Sequence, residues 1–125
     1  MENVTETTKT ESLQSFRSTI RKSENALSGM TEKGANTTLV TKRLKALRIG
    51  LAVLEHAWDE KPYICTQEDF AEARSVLAGL LPSIESIYVM SKPGSPQKTL
   101  LERRIRSLEL ALQAMDDITE RGQPS

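Results

Sequence analysis

One string of residue classes occurs twice in this chain, 61 positions apart, and that recurrence narrows the folds open to it. Lys42-Arg43-Leu44-Lys45-Ala46-Leu47, followed by Ile49, Leu51, Leu54 and Glu55, returns as Arg103-Arg104-Ile105-Arg106-Ser107-Leu108, followed by Leu110, Leu112, Met115 and Asp116. Self-similarity at a fixed spacing marks a repeated supersecondary unit. Val40, Leu44, Leu47, Leu51, Leu54 and Trp58 in one copy, and Leu101, Ile105, Leu108, Leu112 and Met115 in the other, step by four and three. Such steps place side chains on one helical face. Two amphipathic helices that converge without duplication would look alike, and they lead to the same geometry.

Two further helices precede the copies. Leu13, Phe16, Ile20, Leu27 and Met30 predict one over 11–30, with a thin apolar face. Phe70, Ala73, Leu77, Leu80, Leu81, Ile84, Ile87 and Tyr88 predict another. Its broader stripe suggests the most buried helix of the four. Across the 61-residue spacing Phe16 meets Leu77, Ile20 meets Leu81, Glu24 meets Glu85 and Leu27 meets Tyr88, a weaker match.

The boundaries carry turn and cap chemistry. Gly34 and Asn36 mark a turn, and Pro62 stops the second helix. Thr66 is placed to cap the third helix through the amide of Asp69. Pro82 lies inside that helix, where a kink is expected rather than a break. Ser95 as N-cap and Pro96 as first helical residue open the fourth. The Thr/Glu-rich start, 1–10, reads as a disordered tail, and 122–125 as a frayed end. The expected fold is therefore one all-α, up-and-down four-helix bundle over 11–121, built from a duplicated helical hairpin. At 125 residues one domain is the natural size.

Seventeen bases balance 17 acids, so whole-chain charge pulls toward neither nucleic acid nor membrane. Laid on an aligned bundle, however, the charges separate. One end collects 12 of the 17 bases, among them Lys42, Arg43, Lys45, Arg48, Arg103, Arg104 and Arg106. Glu11, Glu55, Asp59, Asp69 and Asp116 fall at the other. The helices carrying the two copies then run against their own dipoles, with bases first and acids last. Partner binding is one reason for that arrangement, and cross-helix pairing, for example of Glu24 or Glu85 with arginines of the next helix, is the other.

Single residues add little chemistry. His56 is the only histidine and reads as a solvated helix residue rather than a pH switch. Cys65, the only cysteine, precedes a helix N-terminus, which can lower a thiol pKa, yet no catalytic partner accompanies it. Asp116 and Asp117 are adjacent on a helix and so do not face each other as a dyad. Trp58 and Tyr63 read as a cap on the core or as an aromatic anchor for a partner.

A chain full of packing signals and without a catalytic constellation is expected to be a non-catalytic, cytoplasmic interaction or regulatory protein. No cofactor or metal is expected. The partner would be a protein, or a second copy of this chain, met on the basic residues above or on Trp58 and Tyr63. The alternative is nucleic-acid or phosphate-ligand binding at the basic end. Nucleic acid is disfavoured because no aromatics interleave the bases. No apolar run is long enough to span a membrane.

Overall fold

The computed structural model describes residues 4–122 and contains four helices. They are α1 Glu6–Glu32, α2 Thr38–Asp59, α3 Gln67–Met90 and α4 Pro96–Gly122. No strand occurs among the described residues. The fold is the expected all-α four-helix bundle. Residues 123–125, expected as part of the frayed end, lie outside the described residues, as do 1–3 of the expected tail.

α1 starts five residues earlier than the apolar spacing predicted. Residues 6–10, expected in a disordered tail, form its first turns. Thr5 caps them by accepting from the Thr8 amide at 3.1 Å, and Val4 packs against the core. Thr66 does the same for α3, accepting from the Asp69 amide at 3.0 Å. Thr5 and Thr66 stand 61 apart, so the repeat includes the caps. Ser95 caps α4 through the Lys98 amide at 3.1 Å, with Pro96 first in the helix. α3 continues through Pro82 to Met90.

Burial repeats with the sequence. Ser12 and Ala73, Phe16 and Leu77, Ala46 and Ser107, Leu47 and Leu108, Val53 and Ala114, and Leu54 and Met115 are pairs 61 apart, and every member is buried. Gly50 and Ala111 form a further such pair. The buried Ser107 hydroxyl donates to the Arg104 carbonyl at 2.8 Å, so it sits at the Ala46 position without an unmet polar group. Gly50 is needed as glycine. A Cβ there would lie 2.9 Å from Phe16 Cε1 and 3.0 Å from Leu77 Cδ1.

α3 is not the most buried helix, contrary to the breadth of its stripe. Only Ala73 and Leu77 are buried in it. α2 and α4 pack against each other through the centre, whereas the backbones of α1 and α3 do not approach each other among the described residues. An outer helix shows the centre only one stripe, so the extra apolar residues of α3 remain half-exposed or exposed.

Within each hairpin the helices are antiparallel. Arg17 reaches Glu55 and Glu24 reaches Arg48 in the first. Arg74 reaches Asp116, and Lys98 sits over the Tyr88 ring, in the second. Between hairpins the register differs. Asp69, in the first turn of α3, pairs at 2.8 Å with Lys45, in the second turn of α2. Glu11, in the second turn of α1, pairs at 2.9 Å with Arg103, in the second turn of α4. An aligned bundle would bring the start of α3 to the end of α2. Here beginnings meet beginnings, so the hairpins cross.

The connection between them makes this geometry reachable. α2 ends with Glu60 in the left-handed region at φ 57°. The Glu60 amide donates to the His56 carbonyl at 3.1 Å, and the Lys61 amide to Glu55 at 3.5 Å. Residues 60–66 are non-helical, and Tyr63, Ile64 and Cys65 share a groove with Lys45, Ile49 and Ala52. The segment therefore runs back along α2. Seven extended residues reach about 23 Å, enough for that return.

Candidate interaction surfaces

The two inter-hairpin ion pairs join ends that the sequence reading had kept apart. Lys45 and Arg103 belong to the expected basic end, Asp69 and Glu11 to the acidic one. The charges are thus interleaved along the molecule rather than gathered at two poles. This also accounts for the dipole reversal in α2 and α4. The acids that start α1 and α3 suit their own helix dipoles and supply counter-charges to the bases of the neighbouring helix. The hydrogen bond from Lys45 holds the Asp69 carboxyl below the usual carboxylate range, and Asp69 in turn holds the Lys45 ammonium above its usual value.

Of the seven expected basic partner residues, Lys45, Arg48 and Arg103 are therefore engaged, Arg48 with Glu24 at 2.8 Å. Lys42 and Arg43 are exposed and have no ion pair to a described residue. Arg106 is exposed and lines a cleft with Thr8 and Glu11. Arg104 is half-buried, and its Nε is fully enclosed.

Trp58 and Tyr63 are half-buried and pack against the core. Their surroundings are structural. The Tyr63 ring meets His56 edge-on at 5.0 Å. His56 Nδ1 lies 3.0 Å from the Lys61 carbonyl, which can only accept, so Nδ1 carries a proton. Burial pushes the Tyr63 hydroxyl above its usual pKa. Cys65 donates to the Thr66 carbonyl at 3.4 Å. Burial and then Asp69 push its thiol up, against the opposing pull of Lys45, so it is held as a thiol rather than activated. Asp116 serves Arg74 through two bonds, Nε to Oδ1 at 2.6 Å and Nη2 to Oδ2 at 3.1 Å. That pairing holds its carboxyl below the usual range and the guanidinium above its own. No cluster of three or more His, Cys, Asp or Glu side chains placed to hold a metal occurs among the described residues. No helix among the described residues is long and apolar enough to cross a membrane.

Ile64, in the connection, is fully exposed, and further large apolar side chains that were not among the expected partner residues stand in water. At the tip of the second hairpin, Ile87 is 50% exposed, Val89 75%, Met90 88% and Leu100 56%. Lys92 and Lys98 lie in the same stretch, and 91–99 contains no acid. The first hairpin shows that the fold does not require this. Its matched positions to Ile87, Val89 and Met90 are Ala26, Ser28 and Gly29, whereas Leu39, matched to Leu100, is equally exposed at 56%. A signal was present in the sequence, because Val89, Met90 and Leu100 lie off the periodic positions. An apolar residue off its helix stripe has no core to enter. Comparisons of this chain with protein-family models, with curated proteins and with solved structures find no match.

Proposed function

We propose that this protein is a non-catalytic interaction module that docks a protein partner on the tip of its second hairpin. The observation that carries this reading is the exposure of Ile87, Val89 and Met90, beside Leu100, where the first hairpin has Ala26, Ser28 and Gly29 in place of the first three. Exposed apolar groups gain free energy when a partner removes them from water, by about 25 cal/mol per Å². The flanking Lys92 and Lys98 suit an amphipathic helix whose apolar face is edged by acids. A reducing compartment such as the cytoplasm agrees with a single, protonated cysteine. Of the basic residues of α2 and α4, Lys45, Arg48 and Arg103 are paired within the chain, and the exposed Lys42 and Arg43 are left to add to partner binding.

A photo-crosslinking side chain at Val89, compared with one at the matched Ser28, tests this in cells. A discrete protein adduct at Val89 that disappears with Ile87→Asp, and none at Ser28, is the expected result. Equal labelling at both positions overturns the proposal. An adduct of twice the chain mass replaces the separate partner with a second copy.

A further inference from the structure

The contact of α1 with α4 is the counterpart, 61 residues on, of the contact of α3 with α2. The two are chemically unlike. α3 presents Ser75, Val76, Gly79 and Ser83, whereas α1 presents Gln14, Ser15, Ser18 and Lys22. Those four residues of α1 and Glu11 of the same helix, with Leu100, Arg103 and Arg104 of α4, line a groove of about 150 Å³. Its bases outnumber its acids. Arg103 is answered by Glu11 at 2.9 Å. Lys22 and Arg104 have no ion pair to a described residue, and the buried Arg104 Nε has no acceptor among them. A guanidinium N–H taken out of water without an acceptor is unfavourable. The one carboxylate that the facing helix offers in the groove, Glu11, is taken by Arg103, and the rest of that wall is hydroxyls, an amide and Lys22.

We propose that this groove binds a phosphate group of a small molecule. Arg104 supplies donors in a fork that suits oxyanions, and Lys22 supplies a point charge. The Ser15 and Ser18 hydroxyls donate to the remaining oxygens. The half-molecule built of α2 and α3 lacks the combination, since Arg43 there is exposed and the positions matched to Ser15 and Ser18 are Val76 and Gly79. The groove borders the apolar tip at Leu100, but its polar lining and its test with small ions do not depend on partner docking there.

Calorimetric titration of the full chain with inorganic phosphate, with glycerol phosphate as a monoester and with acetate, all at one ionic strength, tests it. Saturable binding of phosphate or of the monoester, but not of acetate, is expected. Monoester binding tighter by more than about threefold identifies an esterified ligand, and otherwise the free ion is the ligand. Lys22→Gln is exposed and spares the core, and it should weaken binding about tenfold, as loss of a charge-assisted contact does. Lys42→Gln, the counterpart of Arg103 on the other half, should leave it unchanged. The Arg104 Nε–H resonance should shift on phosphate addition in the unmodified chain. Absence of saturable binding, acetate binding as tight as phosphate, or a Lys22→Gln variant that binds like the parent overturns the proposal.

Discussion

The first hairpin fills its centre with a large side chain set against none, Phe16 over Gly50, whereas the second places Leu77 and Ala111 at the matched positions. Both arrangements bury every one of these residues. At these positions the repeat preserves burial, not residue identity. Outside the centre the halves part company. One carries a polar groove against its neighbour, and the other an apolar tip.

The most disruptive way to probe this comparison is to empty the larger partner. Phe16→Ala should destabilise the chain by about 3–5 kcal/mol in urea denaturation, at the upper end of core truncations. A double-mutant cycle sharpens it. Gly50→Ala alone should cost about 1–3 kcal/mol through overpacking against Phe16 and Leu77. Combined with Phe16→Leu, which rewrites the first hairpin in the terms of the second, the change should cost less than the sum of its parts. Additivity within about 0.5 kcal/mol would mean that the two halves are not interchangeable solutions.

Weaker effects separate the ion pairs. Arg74–Asp116 is bidentate, whereas Arg17–Glu55 is a single contact of 3.3 Å. Asp116 is 49% exposed, so solvent limits the pair to about 1 kcal/mol or less. Its carboxyl is depressed in the folded chain relative to about 3.9 for an ordinary Asp. The unfolded chain therefore binds the proton first. The contribution is complete above the unfolded value and disappears as pH falls through the lower folded one. Asp116→Asn should flatten that acid limb in denaturation curves taken between about pH 2 and pH 6.

The smallest change lies in the connection. Glu60 holds a left-handed conformation that favours glycine, so Glu60→Gly should stabilise by about 0.5 kcal/mol once the looser unfolded chain is counted. A loss of stability in that variant would indicate that the Glu60 side chain contributes to the return along α2.

Much of this architecture was legible in the sequence. Leu44, Leu47, Leu54, Leu101, Leu108 and Met115 are buried as their spacing required, and Thr66 and Ser95 cap as their positions suggested. The start of α1 was written in the chain less plainly. Thr5 matches Thr66, but the residues after it lack an apolar stripe, and periodicity alone could not find the first turns. The burial of α3 was misjudged because a stripe tells how apolar a face is, not what will cover it. The crossing of the hairpins was hidden in residues 60–66. A seven-residue connection permits a tight turn or a long return equally well, and only tertiary packing chooses. The exchange of Lys45 and Arg103 across the expected poles followed from that choice.

Tethering two nearly equivalent halves on one chain has a kinetic and evolutionary consequence. Each half meets the other at a fixed, high effective concentration, so their association does not depend on how much protein is made. A substitution that would dissociate two separate hairpins costs the joined form only part of its stability. That margin lets one half lose the symmetry of its surface while the other keeps the shared core intact.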